Sequence, residues 1–239
     1  LPLALELAAA RSKLFTPQAL LSKLTRGLDL LVGAQHGIAE RQRTLRQTID
    51  WSYHLLEPAA QTLFARLGIF VGEFTLAAAE AIVPPTNAPG EELIDGLLDL
   101  LNQSMVQRVE PTAPEDTTLR FRLLLTLREY ALDQLKAQGD VAQMSERHAL
   151  YYLAQVEQAA SVQEVANEGY WLDQMAADLD NLRAAFAWSR QAARVEIALR
   201  LATAAGSFWL KRGYLAEGRR WLEQALDNRA SASPALQAK

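Results

Sequence analysis

The chain has 239 residues, half of them apolar and 22% charged, with a net charge of -4 and a pI near 5.5. That is enough apolar material for a buried core, and it gives no overall electrostatic footprint for nucleic acid. The absence of cysteine excludes disulfides, thiolate metal sites and a thiol nucleophile, and fits a reducing compartment.

No run approaches the roughly 18 apolar residues of a membrane span. No basic region precedes the first apolar run, and the chain opens on Leu1-Pro2-Leu3 without an initiator methionine. A cytoplasmic fragment of a longer protein, with no membrane partner, is expected.

Residues 1–31 read as two short helices. Leu3, Leu7, Ala10 and Leu14 recur at helical spacing, Thr16-Pro17 restarts the chain as N-cap and first helical residue, and Leu20, Leu21, Leu24 and Leu28 share one face. The stretch 32–41 is rich in turn formers and reads as a linker. Beyond it, Leu45, Ile49, Ser52 and Leu56 line a first helix. Pro58 opens a second, carrying Leu63, Phe64 and Leu67, which Gly72 is expected to break.

Thr75 is placed as the cap of a short alanine-rich helix through Ile82. The loop Pro84–Gly90 follows, and then a helix from Glu91 to Leu101 with Leu93, Leu97, Leu100 and Leu101 inward. The period then drops to two. Met105–Val109 and Leu119–Leu123 alternate around a polar turn, Pro111–Asp116, as in a hairpin. A helix from about Thr126 presents Leu127, Tyr130, Ala131 and Leu135, and Gly139 ends it.

Residues 141–239 are helical in pattern throughout. His148, Tyr151, Tyr152 and Val156 fall in one segment; Tyr170 to Met175 begin another, which Leu179, Leu182, Phe186 and Trp188 extend. Gly206, Trp209, Gly213, Gly218, Leu222 and Ala225 sit at the small and large positions of a tetratricopeptide (TPR) repeat, whose single unit cannot bury its own face. The tail 230–234 reads as an inter-repeat turn, with further repeats beyond Lys239.

Three passages resemble bacterial STAND/NB-ARC signalling ATPases, among them AfsR/LuxR/MalT-like regulators. Leu1-Pro2-Leu3-Ala4-Leu5 is similar to the GLPLAL segment that closes the nucleotide pocket. Thr48–Tyr53 with Leu55-Leu56, followed by Leu63–Phe70, resembles the winged-helix entry. Arg120–Ala131 resembles the second wing strand and the helix after it.

The resemblance implies a mostly α chain in three parts. These are the last helices of the NB-ARC helical subdomain (1–41), a winged-helix domain with a small β-hairpin (42–140) and a TPR-like helical repeat region (141–239). It assigns Pro2 the contact with the adenine of ADP or ATP, although proline at a helix start has that role regardless. It also maps the family's switch segment onto Leu123, Leu124 and Leu125. Leu124 stands where relatives place a phosphate-sensing histidine, and Leu125 where many keep an acid. Leucine neither donates a hydrogen bond nor carries charge, so packing at the strand-to-helix junction is the expected role.

No G-x-x-x-x-G-K-[ST] loop, H-E-x-x-H or G-x-S-x-G is present. No catalytic or metal residue is therefore assigned, and His36, His54 and His148 read as surface or half-buried. The chain alone is expected to bind no cofactor and catalyse nothing; ADP or ATP with Mg²⁺ would belong to the nucleotide-binding module of a full-length parent, the chain's first partner.

The helix 91–101 carries Glu91, Glu92, Asp95 and Asp99 and no basic residue, so direct DNA binding is not expected of it. In the aromatic set of the last hundred residues core filling is the plainer reading. Trp188, Trp209 and Tyr214, with Arg212, are the candidate surface for a peptide, protein or small-molecule effector. The arginines of this end (Arg183, Arg190, Arg194, Arg200, Arg219 and Arg220) read as a solvated face or a docking surface for an acidic partner. The expectation is thus a non-catalytic regulatory segment. The rivals are a DNA-binding winged-helix regulator and an enzyme with a site assembled from scattered carboxylates.

Overall fold

The computed structural model describes residues 38–84, 91–110, 118–161 and 165–227. The chain is mostly α, with eleven helices and three short strands among the described residues. The described residues divide into two compact units, one built from those up to Ile69 and those between Val83 and Val141, the other from Phe70–Ile82 and those from Ala142 on.

In the first unit, α1 (Ile38–His54) and α2 (Pro58–Leu67) are followed later in the chain by α4 (Glu91–Asn102), strands β2 (Gln107–Val109) and β3 (Arg120–Arg122), and α5 (Leu125–Gln138). Helix α1 begins inside the stretch read as linker, because no proline or glycine interrupts the chain from Ile38 onward. Helix α2 has Pro58 in its first turn, where the missing N–H costs nothing. It stops at Leu67, so Gly72 does not end it; the Gly68 N–H bonds the Ala65 carbonyl at 3.1 Å and the Ile69 N–H the Arg66 carbonyl at 3.2 Å.

Helix α2 is central, packing on α4 and on α5, which also touches α1. Leu63, Phe64, Leu67, Leu97, Leu100, Leu127, Tyr130 and Leu135 form the core. Strands β2 and β3 pair antiparallel, with Gln107 opposite Arg122, Arg108 opposite Phe121 and Val109 opposite Arg120. Phe121 and Leu123 are inward as the alternation predicts, but Arg120 is also buried and Leu119 exposed. A guanidinium on a three-carbon stem can be covered while its head keeps polar partners. The wing tip 111–117 lies outside the described residues.

The second unit holds β1 (Glu73–Thr75) and α3 (Leu76–Ile82), then α6 (Val141–Ser161), α7 (Val165–Ala177), α8 (Leu179–Gln191), α9 (Val195–Ala204), α10 (Gly206–Arg212) and α11 (Leu215–Leu226). Thr75 Oγ1 accepts the Ala78 N–H at 3.0 Å, the expected cap of α3. The long helix read across 170–188 is broken at Asp178 into α7 and α8. Helix α9 packs on α8 and α11, and α10 on α7 and α11.

The contact of α2 with α5 tolerates no side chain at Gly68. A Cβ there would lie 2.8 Å from both the Ala131 Cβ and the Leu132 backbone nitrogen, atoms that only a helix shift could move. We predict that Gly68→Ala costs about 1–3 kcal/mol through overpacking, despite alanine's better helix propensity. Urea unfolding followed by circular dichroism tests this; an unchanged midpoint would contradict the close approach.

Candidate functional site

The segment Phe70–Ile82 is held in the second unit by side-chain hydrogen bonds and ring packing. Asn181 is fully buried on the apolar face of α8, beside Leu182 and Ala185. Its Oδ1 accepts the Val71 N–H at 2.7 Å and the His148 Nε2–H at 3.2 Å, and its Nδ2 donates to the Glu73 carbonyl at 2.7 Å. Phe70 stacks on Phe74 at 4.2 Å, and His148 meets Phe70 edge-on and tilts against Tyr152. Arg147 Nη2 donates to the Ala81 carbonyl at 2.8 Å, placing a cation at the C-terminal end of α3.

His148 is therefore a buried structural group, contrary to its reading as surface or half-buried. Asn181 was not singled out from the sequence. The signal that could have found it is an amide on the buried face of a helical run, where it must have partners.

The candidate effector residues do not form one surface. Trp209 is 2% exposed, between Trp221 at 5.0 Å and Tyr214 at 6.2 Å, and Trp221 in turn stacks on Phe186 at 4.1 Å. Its place in a partner surface is corrected to core: α11 approaches so closely at Gly218 that a Cβ there would sit 2.7 Å from the indole. Trp188 is half-buried and Tyr214 exposed. Arg212 pairs with Asp173.

A shallow groove of about 590 Å³ lies alongside, lined by Arg183, Gly213, Tyr214, Ala216, Glu217 and Arg220. Of the switch-segment residues, Leu123 is buried, Leu124 is the extended residue before α5 and Leu125 is 68% exposed. Leu124 is half-buried, between the covered Leu123 and the solvent-facing Leu125. Pro2 lies outside the described residues.

The arginines of the second unit are mostly engaged within it. Arg183 grips Glu217 with two bonds of 2.8 Å and also reaches Asp180; Arg190 bonds Gln224 at 2.8 Å. Arg200 holds Glu157 through two bonds of 2.7 Å, Arg194 pairs with Glu146 and Arg219 with Glu223. Charges committed to neighbouring helices are not available as a general docking face for an acidic partner. The Arg183–Glu217 and Arg190–Gln224 contacts both span 34 residues. Contacts at a constant offset mean that α8 and α11 run parallel.

In the first unit, Tyr130 donates to Asp50 Oδ1 at 2.6 Å under the guanidinium of Arg46, which pairs with Asp133 at 2.6 Å. Burial, and then the bond to Asp50, pushes the Tyr130 hydroxyl well above its ordinary range. Arg66, half-buried, bonds Asp140 at 3.2 Å and the Pro84 carbonyl at 3.2 Å. These groups tie α1 to α5, and α2 to the residues after α3 and α5. No cluster of His, Asp or Glu suited to a metal occurs among the described residues, and no described helix is long and apolar enough to cross a membrane.

The chain matches no protein-family model and no solved structure. It is 38% identical over 245 residues to "Putative HTH-type transcriptional regulator Rv0890c" of Mycobacterium tuberculosis and, equally, to "Putative HTH-type transcriptional regulator Mb0914c" of Mycobacterium bovis. Each alignment covers all of this chain and 27% of the relative, so the chain spans about a quarter of their length. "Uncharacterized protein Rv0894" of Mycobacterium tuberculosis is 32% identical over 142 residues, 58% of this chain and 35% of its own.

Two outcomes test this geometry. Asn181→Ala strands the Val71 N–H and the Glu73 carbonyl; we expect a loss of about 2–4 kcal/mol and faster hydrogen exchange at the Val71 amide, and exchange unchanged at Val71 would refute the latch. The Arg183 bonds hold the Glu217 carboxyl below its ordinary range. The pair therefore stabilises the folded chain above that range and its contribution fades as pH falls through the folded value. Glu217→Gln is expected to cost about 1 kcal/mol at pH 7 and progressively less as the pH is taken below the ordinary carboxylate range, given a half-exposed pair, as read from urea midpoints across that pH series.

From end to end, the chain is homologous to one segment of these mycobacterial proteins named as HTH-type transcriptional regulators.

Proposed function

We propose that the chain is a non-catalytic coupling segment of a larger transcriptional regulator of the STAND type. An upstream module holds ADP or ATP with Mg²⁺, the first unit acts as a winged-helix clamp on that module, and the second unit begins a TPR-like array that senses a peptide, protein or small molecule. The observation that carries the reading is the path of the chain. It passes between the two units three times, at 69/70, 82/83 and 141/142, and the excursion 70–82 is held by Asn181 and Arg147. An effector that shifts α6 or α8 therefore acts, through covalent links, on both α2 and α4.

The 34-residue offset between α8 and α11 supports the repeat reading, since that is the TPR period. The relatives' names support regulation of transcription. Coupling requires that the effector bind the two clamp states with different free energies. The groove beside Tyr214 and Arg220 is where we place such an effector. In the longer protein that this reading requires, removal of residues 42–140 is expected to speed ADP release at least tenfold. Equal retention with and without them would sink the clamp.

A second reading, DNA binding by the first unit itself, is favoured by the relatives' "HTH-type" names and by the exposed Arg108 and Arg122 of the hairpin. Against it stand Asp95 and Asp99, exposed on α4, where a reading helix needs Arg, Lys, Asn or Gln. Steeply salt-dependent binding of the chain to duplex DNA, lost in Arg108→Ala/Arg122→Ala, would establish it.

A further inference from the structure

The chain changes units after Ile69, after Ile82 and after Val141, and one guanidinium is bonded close to all three places. Arg66 stands in the last turn of α2, shortly before the first crossing. Its Nη1 donates to the Pro84 carbonyl at 3.2 Å, shortly after the second. Its Nε and Nη2 donate to Asp140 Oδ2 at 3.4 and 3.2 Å, shortly before the third. The Arg66 side chain is 15% exposed and that of Asp140 29%, so water screens this pair less than the surface pairs of the same unit.

Local structure prepares each partner. Gly139, in the left-handed region at φ 80°, closes α5, and the Asp140 N–H then bonds the Leu135 carbonyl at 3.3 Å. The carboxylate is thus presented from a fixed backbone. Proline offers a carbonyl and no N–H, and Pro84 follows the buried Ile82 and Val83. On the other side of that crossing Arg147 donates to the Ala81 carbonyl at 2.8 Å. The two carbonyls that flank it are therefore each held by an arginine, one from each unit. Only a planar fork with donors on three nitrogens makes the Arg66 bonds together; a lysine ammonium is a single point.

We infer that Arg66 pins the three crossings to one another, so that a disturbance of the chain at one is felt at the other two. It is a positioning residue, acting through Pro84 and Asp140. The inference rests on the coupling reading only for its use, which is to make the excursion 70–82 and the entry into α6 respond together.

Amide hydrogen exchange in the full chain tests this at Ile69, whose N–H bonds the Arg66 carbonyl, at Ile82 in the last turn of α3, and at Asp140. Arg66→Lys keeps the charge and loses the fork. It is expected to speed exchange at all three amides, by about tenfold more than at the core amides of Leu97 and Phe186. Asp140→Asn keeps the shape and removes the charge, and is expected to speed the same three by a smaller factor. Arg46→Lys weakens the exposed Arg46–Asp133 pair of the same unit and is expected to spare all three. Unchanged exchange in Arg66→Lys, a rise at one amide alone, a rise no larger than at Leu97 and Phe186, or an equal effect of Arg46→Lys would overturn the inference. If the three amides respond together while deletion of 42–140 leaves ADP retention unchanged, the clamp reading fails and the pin stands.

Discussion

One buried carboxamide decides how this chain is partitioned. The backbone between α2 and α4 has donors and acceptors that must be satisfied once it leaves water, and Asn181 satisfies two of them while its oxygen also receives His148. An amide carries both a donor and an acceptor on one rigid plane, so it can bond to the N–H of residue 71 and the carbonyl of residue 73 at once. Because of that contact, a stretch lying in sequence between two helices of the first unit belongs with the second. The stacked Phe70 and Phe74 rings add apolar burial to the same joint.

The electrostatics serve the same end. A count of arginines in the last hundred residues suggests a surface waiting for an acid, yet most of them already hold an acid or an amide on another helix. Pairs that recur at 34 residues set the register between α8 and α11, and the stack of Phe186 on Trp221 fills the space between those helices. Apolar side chains stay exposed as well: Leu215, Leu222 and Leu226 on α11, and Ile94 and Leu98 on α4. Both helices already bury one face, and each presents a second to be covered.

Much of the local structure was legible in advance because it depends on near neighbours. Pro58 at the start of α2, Thr75 under α3, and the Leu127, Tyr130, Ala131 and Leu135 face of α5 all follow from spacing and capping chemistry. The misreadings have particular causes. Gly72 drew attention as a breaker, but α2 had already ended at Leu67. The 32–41 stretch has its glycines at 33 and 37 and none beyond, and α1 begins at Ile38. The apolar period runs on across Asp178, hiding the break between α7 and α8.

The sequence by itself determined a mostly helical chain with one hairpin, no thiol chemistry and no phosphate loop, since these follow from composition, period and motif over a few residues. Only the tertiary structure decided which polar groups are buried together. Asn181 lies 110 residues from Val71 and 33 from His148, and Trp209 becomes core only because Gly218 lets α11 come close. Such pairings depend on three-dimensional proximity between distant segments, for which a periodic pattern holds no information.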